Sequence, residues 1–278
     1  MARDLETVEC SEKHAQPNVL KSRVRVLELT WRLTVAALGR FTSDRVFGLW
    51  WWAVDPIIMI TVYAIVFGNF FNLMGRDVPA AYPLFLACAL IPWRWFSVSA
   101  TRGANSFLAN SGLLISTPVN RRALVMSELL ASTFEAAVGI LILVGFMLYY
   151  DRTMTWNLAL LPLPLLIMGT LAAGISLLLC PLTVLFRDFS NIFAATLRPI
   201  WFLSPGLYSY HDVPERYRMT WAALNPFVGI FEGIRRPIHD GTTPLWTPLA
   251  FSAAWAIVML LFGNWAFRRF GNASVRML

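Results

Sequence analysis

Three histidines are the first residues to consider for catalysis, because imidazole serves both as a metal ligand and as a general base. His14, His211 and His239 show no spacing typical of a metal site. Asp212 directly follows His211, and such a pair suggests acid/base chemistry in acyl or glycosyl transfer. Adjacent side chains on an extended loop point apart, however, so an ordinary turn explains the pair at least as well. We therefore treat an integral membrane transferase as a less favoured interpretation of the sequence.

Motifs for nucleotide binding and for an activated serine are missing from the sequence. There is no GxSxG stretch, and neither of the two lysines follows a glycine-rich loop. We therefore expect no catalytic residue, no metal and no cofactor on this chain. If the protein uses ATP, then ATP and Mg²⁺ must be bound by a separate ATPase subunit.

Four ionisable residues stand inside apolar stretches, namely Asp55, Arg94, Glu135 and Arg198. A charge in the middle of a bilayer costs about 2.5 to 3.5 kcal/mol on insertion scales, so each should face a cavity, an opposite charge or the membrane interface. For the two arginines, the sequence leaves open whether they line a polar path or serve structural pairing. Since no inverted repeat is evident, a secondary transporter is disfavoured.

The composition places the chain in a membrane. Of its 278 residues 57% are hydrophobic and 14% are charged, and the mean hydropathy is +0.58. These values exclude a soluble domain, a disordered chain and a coiled coil. The net charge of +7 does not indicate nucleic-acid binding, because the basic residues flank apolar segments instead of forming one patch.

Long uncharged stretches predict an all-α integral membrane protein with six transmembrane helices. The distribution of Lys and Arg favours both termini in the cytoplasm. We divide the chain into a cytoplasmic tail over 1–20, an interface helix over 21–45, a transmembrane domain over 46–270 and a cytoplasmic C-terminus over 271–278. The predicted spans are about 47–73, 82–108, 123–150, 157–186, 189–210 and 249–267.

Two segments are expected to lie beside the membrane. Val24, Leu27, Trp31, Val35 and Leu38 recur at helical spacing, which predicts an amphipathic helix in the cytoplasmic interface. Between the last two spans, residues 211–248 are too short and too rich in proline to cross twice. We expect one or two short re-entrant or interfacial helices there, on the outer side.

Five motifs in order along the chain resemble one known family. The match runs from about Leu20 and rests on Leu49–Pro56, Leu90–Phe96, Phe186–Phe189, Leu203–Pro205 with Tyr208, and Leu224–Arg235. In these segments the chain resembles the membrane subunit of ABC-type polysaccharide exporters, the permeases of O-antigen, teichoic acid and capsule export. The stretch Ser111–Asn120 looks closer to the capsule branch and the C-terminal half to the O-antigen branch, so the class of glycan stays open.

The resemblance implies a permease in the bacterial inner membrane that forms a homodimer, binds two copies of an ATPase and moves a lipid-linked polysaccharide outward among membrane lipids. The same fold exporting a drug or simple lipid is the alternative. It further implies a coupling helix in the loop 109–122 and an outer gate. The expected coupling residues are Leu113, Leu114, Ile115, Pro118, Arg121 and Arg122, and the expected gate residues are Pro214, Asn225, Pro226, Glu232 and Arg235. For Arg121 and Arg122 the alternative is that they anchor the next span at the lipid surface.

Aromatic residues are the expected lining of the translocation path, since sugar rings stack their C–H faces on aromatic rings. The alternative for any one of them is an interfacial aromatic belt. The candidate path residues, with the two arginines, are Trp51, Tyr63, Phe67, Phe70, Trp93, Arg94, Trp95, Arg198, Trp201, Phe202 and Tyr208.

Overall fold

The computed structural model of the chain describes residues 19–42, 50–73, 81–116, 119–152 and 154–277. Within these ranges every regular element is helical, which confirms the predicted all-α class. The α-helices in chain order are α1 (Val19–Thr42), α2 (Trp50–Leu73), α3 (Tyr82–Ala104), α4 (Ser106–Ala109), α5 (Ser111–Ser116), α6 (Arg121–Tyr149), α7 (Pro162–Leu185), α8 (Phe189–Leu203), α9 (Glu215–Leu224), α10 (Phe227–Arg235) and α11 (Trp246–Val275).

Five helical stretches are long and apolar enough to cross a membrane. They are Trp50–Phe70, Tyr82–Ala104, Arg121–Tyr149, Trp156–Leu185, which joins a short 3₁₀ turn to α7, and Trp246–Val275. They correspond to five of the six predicted spans and confirm a multi-pass membrane protein.

The remaining predicted span, 189–210, is only partly helical. Helix α8 has 15 residues, which at 1.5 Å per residue cover about 22 Å of a hydrocarbon layer about 30 Å thick. A turn follows it, and then a single 3₁₀ turn over Tyr210–Asp212. The sixth crossing therefore stays a prediction.

Helix α3 is the centre of the bundle and α2 lies at its edge. Buried residues make up 67% of the most apolar stretch of α3 but only 11% of that of α2. Since α2 is as apolar as a membrane span requires, its exposed face must be covered by lipid or by another protein chain.

Helices α7 and α11 pack backbone to backbone through two glycines. A Cβ atom added to Gly263 would collide with the carbonyl group of Gly174, and one added to Gly174 would lie 2.5 Å from the backbone nitrogen of Leu260. Small residues at helix crossings allow this close approach and are typical of membrane bundles.

Helix α1 has the amphipathic character that the sequence predicts, but the face that packs against the protein is made of small residues. Thr34 and Ala37 are fully buried and Thr30 nearly so, while Leu27, Trp31 and Val35 are each more than half exposed. The small residues thus face the protein and the large apolar ones face outward, as expected for a helix that lies at a membrane surface.

The segment between α8 and α11 consists of short helices, and their place on the outer side of the membrane stays a prediction. All nine residues of α10 are buried, whereas α9 is mostly exposed. Helix α10 continues into one π-helical turn, Arg236–Asp240, which ends at Gly241 in a left-handed conformation with φ 67°.

Candidate functional site

Two ion pairs join α3 to the helices on either side of it. Arg94 of α3 pairs with Asp55 of α2, and Arg102 of α3 pairs with Glu135 of α6. The second pair has both guanidinium nitrogens on the carboxylate, with Nη2 of Arg102 donating to Oε2 of Glu135 at 3.1 Å. Asp55, Arg94 and Glu135 thus each have an opposite charge beside them, which lowers the cost of holding them within apolar helices.

A polar groove runs along α3 between these pairs. A cleft of about 450 Å³ has Trp52, Ser97 and Thr101 in its wall together with Arg102 and Glu135. Ser97 also lines a neighbouring cavity of about 280 Å³ that contains Asp55 and Arg94. Because Arg94, Ser97 and Val98 line both, the two spaces are neighbours on one side of α3.

An aromatic cluster closes one end of this groove. The ring of Trp93 lies 5.6 Å from that of Trp201 and 5.0 Å from that of Phe227, measured between centroids. Tyr63 stacks on Trp201 at 6.4 Å with an interplanar angle of 15°, and Phe67 meets Tyr63 edge-on at 5.8 Å. Helices α2, α3, α8 and α10 therefore each contribute to the same cluster.

Four of the predicted path residues, Tyr63, Phe67, Trp93 and Trp201, meet in this cluster, and Arg94 lies beside it in the groove. Phe227 was missed by the sequence analysis, although its position after the Asn225–Pro226 pair of the most specific motif was a usable signal.

Two further path residues lie elsewhere in the fold. Trp95 lines a small pocket on the other side of Arg94, next to Gly139 of α6, and its ring lies within van der Waals distance of a Cβ placed at Gly169. Tyr208 stacks on Trp221 at 5.8 Å, and its hydroxyl group donates to the carbonyl oxygen of Leu203 at 3.2 Å. Both rings pack against other parts of the chain, outside the aromatic cluster.

The remaining four path residues lie on outward faces. Trp51 and Phe70 are exposed on α2, and Arg198 and Phe202 are exposed on α8. Helix α8 turns only one side inward, where Leu197 and Trp201 are buried. In the single chain these four residues face away from the groove.

A buried ion pair organises the predicted outer gate. Arg235 and Glu232, with side chains 2% and 3% exposed, lie 2.9 Å apart on α10. Arg235 also donates to the carbonyl oxygen of Pro205 at 2.8 Å, and its Cζ atom lies 3.7 Å from the centre of the Phe85 ring. One side chain thus connects α10, the turn after α8 and α3.

Asn225 and Pro226 lie at the same junction. The amide group of Asn225 donates to the carbonyl oxygen of Leu203 at 3.1 Å, and its Oδ1 atom accepts the backbone N–H of Phe227 at 3.0 Å. Pro214 stands apart, exposed at the start of α9. The structure therefore brings together four of the five predicted gate residues.

Helix α5 occupies the predicted coupling loop, and Leu114 faces the interior of the chain. Its side chain is 9% exposed and belongs to a buried apolar cluster with Phe107 and Leu124. Leu113 packs against the same cluster, whereas Ile115 is 67% exposed. The contact of Leu114 with an ATPase stays a prediction, and Ile115 is the better exposed candidate, because one helical turn cannot present three successive residues to the same side.

The other coupling candidates are held by α11 or fall outside the description. Arg121 donates a hydrogen bond to Oδ1 of Asn272, and Arg122 donates to Oδ1 of Asn264 at 2.8 Å. Pro118 lies outside the described residues.

Helix α1 is connected to the coupling segment by an interaction that the sequence analysis missed. Arg40 donates to Oε1 of Glu128 on α6 at 2.6 Å and to Oδ1 of Asn110, just before α5, at 2.9 Å. The carboxylate of Glu128 is almost fully buried, which makes this pair a strong restraint on α1.

The sequence profile of the ABC-2 type transporter family matches residues 28–238. The chain belongs to this family. An O-antigen export system permease protein, RfbA, from Myxococcus xanthus is 26% identical over 214 residues, covering 77% of this chain and 81% of that protein. A Klebsiella pneumoniae RfbA is 27% identical, covering 73% and 76%. The polysialic acid transport protein KpsM of Escherichia coli is 26% identical over 251 residues, covering 84% and 91%.

Membership of the ABC-2 family confirms the resemblance carried by the five motifs and identifies the chain as a transporter permease subunit whose ATPase activity resides in a separate subunit. It also decides against the membrane transferase. The hydrogen bonds around His211 and Asp212 agree with that outcome. The Asp212 carboxylate accepts the backbone N–H of Ser209 at 2.7 Å, and the Ser209 hydroxyl accepts the backbone N–H of His211 at 3.3 Å, as in an ordinary capped turn.

The only described imidazole–carboxylate contact in this ABC-2 chain is a local one, between His239 Nδ1 and Asp240 at 2.7 Å. Burial opposes the ionisation of Asp240, but its hydrogen bond to His239 and the charges of His239, Arg236 and Arg235 outweigh burial and lower its pKa below 3.8. Asp240 is therefore an anion at neutral pH. The positive charges around it indicate a structural role.

Proposed function

We propose that the chain is the permease of an ABC exporter that moves a polysaccharide or lipid-linked glycan across the bacterial inner membrane. The observation that carries this proposal is the aromatic cluster of Tyr63, Trp93 and Trp201 at the end of a groove lined by Ser97 and Thr101. The names of the relatives, which refer to O-antigen export and polysialic acid transport, point the same way.

The groove suits a sugar chain physically. Aromatic faces bind the C–H faces of sugar rings, and the hydroxyl groups of Ser97 and Thr101 are available to exchange hydrogen bonds with sugar hydroxyls. Because Arg94 and Arg102 are each paired with a carboxylate, the wall carries little net charge. A polymer can slide along such a surface without being held at one point.

A second copy of the chain completes the path in this proposal. Trp51 and Phe70 of α2 and Arg198 and Phe202 of α8 are exposed in the single chain, and an exposed arginine in lipid is costly. In a homodimer these faces meet, so that the four residues line the path between the two copies. Each copy has six spans, with α8 and the turn after it as the fifth, and both termini in the cytoplasm.

Two copies of an ATPase subunit bind ATP and Mg²⁺ and dock on the cytoplasmic side. The exposed Ile115 of α5 is the contact, and the Arg40 bridge to Asn110 and Glu128 carries the movement of α5 to α1 and α6. On the outer side, α9 and α10 close the path between transport cycles.

Surface display of glycan in cells that lack the native copy tests the proposal. Replacing Trp93 with Ala should strongly reduce surface glycan, with glycan accumulating inside the cell, while the amount of permease–ATPase complex stays near wild type. Trp246→Ala is the matched control, because Trp246 is 55% exposed at the start of α11, and it should leave export unchanged. Normal glycan display in Trp93→Ala cells, or export of a drug in place of glycan, would contradict the proposal.

A further inference from the structure

A cluster of arginines lies where α6 begins and α11 approaches its end. Arg121, Arg122 and Arg268 line an open cleft of about 770 Å³, together with Asn120 and Asn272. The same cleft has an apolar wall formed by Val119, Phe267 and Gly271. Three cations thus stand at the rim of an apolar recess.

Within the part of the chain that the structure describes, Arg121 and Arg122 are positioned by uncharged groups. Asn272 and Asn264 accept one hydrogen bond each from Arg121 and Arg122 through a carboxamide oxygen, which carries no net charge. Four other arginines of the described chain differ from these, because a carboxylate binds each of them: Arg40, Arg94, Arg102 and Arg235.

No carboxylate is available from the segments that build the cleft. Residues 119–127 and 241–278 contain no Asp or Glu, and no described carboxylate forms an ion pair with Arg121, Arg122 or Arg268. A guanidinium group has five N–H donors. Arg121 and Arg122 each have one committed to an asparagine, so the cluster keeps both its charge and most of its donors for an external anion.

The position of the cleft identifies the anion. Arg121 opens one candidate membrane span, and Arg268 follows the apolar run of another, so the cluster lies at the level where lipid head groups meet the hydrocarbon. Basic pockets between transmembrane helices at this level bind phosphate head groups. The guanidinium plane matches the geometry of phosphate oxygens, and the apolar wall matches the start of an acyl chain.

We propose that this cleft binds the phosphate head group of an anionic phospholipid and thereby fixes the ends of α6 and α11 relative to the membrane surface. The site goes beyond glycan export, since it requires neither the translocation path nor the substrate. Arg121 and Arg122 then serve the lipid, and docking of the ATPase is left to α5.

Titration of the purified full-length chain in a neutral detergent, with bound lipids counted by native mass spectrometry, tests the site. Phosphatidylglycerol and phosphatidylcholine of matched acyl chains are the probes. We expect selective retention of phosphatidylglycerol by the wild-type chain. With about one kcal/mol from each arginine near a surface, Arg122→Gln combined with Arg268→Gln should weaken its binding about 30-fold.

Two matched double variants make the result specific. Arg187→Gln with Arg276→Gln removes the same charge from exposed positions outside the cleft and should bind like the wild-type chain. Arg122→Lys with Arg268→Lys keeps the charge and should retain most of the binding, and an unchanged unfolding temperature of the Gln variant shows that it has not lost binding through misfolding. Equal weakening in both Gln variants would overturn the proposal in favour of a diffuse surface charge.

Two further outcomes would reassign the cluster. Inorganic phosphate titrated alone should bind far more weakly than phosphatidylglycerol, and equally tight binding would overturn the lipid assignment. Unchanged lipid binding in Arg122→Gln, Arg268→Gln together with loss of the ATPase from the purified complex would assign these arginines to the protein partner instead. Because lipid counting needs no glycan, failure of this test is distinct from failure of the proposed export function.

Discussion

Arg102 of α3 and Glu135 of α6 form a two-point ion pair in which both side chains are more than four-fifths buried. The pair fixes the spacing of the two helices that form the walls of the groove. It belongs to the class of buried pairs in which loss of one partner leaves an isolated charge in a medium of low polarity.

Removing one member of this pair should therefore cost more than removing both. Glu135→Leu leaves the Arg102 charge unpaired and should destabilise the chain by about 3 to 5 kcal/mol, whereas Arg102→Met with Glu135→Leu should recover much of that loss. Thermal unfolding of Glu135→Leu, Arg102→Met and the double variant in detergent measures the difference. A double variant that is as unstable as the sum of the single ones would show that the two residues act independently.

Helix α5 offers a test of which side faces the ATPase. Ile115 is exposed and Leu114 is buried, so Ile115→Asp should abolish co-purification of the ATPase while the permease still folds and inserts. Leu114→Asp places a charge in the apolar cluster with Phe107 and should reduce the yield of folded permease itself. Pull-down of the ATPase, normalised to folded permease, separates the two effects. Normal ATPase recovery by Ile115→Asp would exclude this face as the coupling surface.

The sequence was sufficient for five of the six predicted spans and for the family, but not for the pairing of charges. Long apolar stretches with few charges follow directly from the cost of ions in lipid, which is why α2, α3, α6, α7 and α11 were all predicted. The pairs of Asp55 with Arg94 and of Glu135 with Arg102 join residues 39 and 33 positions apart, and such partners depend on how helices pack. The energetic cost of an unpaired charge in lipid indicates that each of these residues has a partner, but it does not identify the partner.

Helix rotation explains the other differences. The coupling and path residues were chosen by their type, and a type does not fix which way a helix faces. Leu114 and Ile115 are adjacent apolar residues, yet one packs inward and the other is exposed. Trp201 and Phe202 divide in the same way on α8, because neighbouring residues are about 100° apart around a helix.

The contact between α7 and α11 should be intolerant of a single added methyl group. In Gly263→Ala the new Cβ would meet the backbone of Gly174 and of Leu178, neither of which can yield without separating the helices. We expect a loss of about 1 to 3 kcal/mol, seen as a lower unfolding temperature. Gly145→Ala is the matched control, since its Cβ would meet nothing within 4 Å, and it should be neutral or slightly stabilising. Equal stability of the two variants would argue against the close helix crossing.

Arg235 should resist even conservative replacement. Its guanidinium group binds Glu232 and the carbonyl oxygens of Pro205 and Gly206 at once, while it stacks on Phe85. Arg235→Lys keeps the charge but cannot reproduce this planar set of donors, so the turn after α8 loses its attachment to α10. Since most of the lost bonds involve buried groups, we expect a destabilisation of about 2 to 4 kcal/mol. Limited proteolysis should then cut the 204–210 turn faster than in the wild-type chain.

Arg218 provides the control for this last measurement. It also donates to carbonyl oxygens, that of Val213 at 3.2 Å and that of His211 at 3.0 Å, but its side chain is 21% exposed and its carboxylate neighbour Glu215, 3.8 Å away, is 91% exposed. Arg218→Lys should therefore leave both the unfolding temperature and the cleavage of the turn near wild-type values. If Arg235→Lys proved as mild as Arg218→Lys, α10 and the turn would not be joined through Arg235, and the outer segment would depend on the apolar contacts of Phe227 and Phe231 instead.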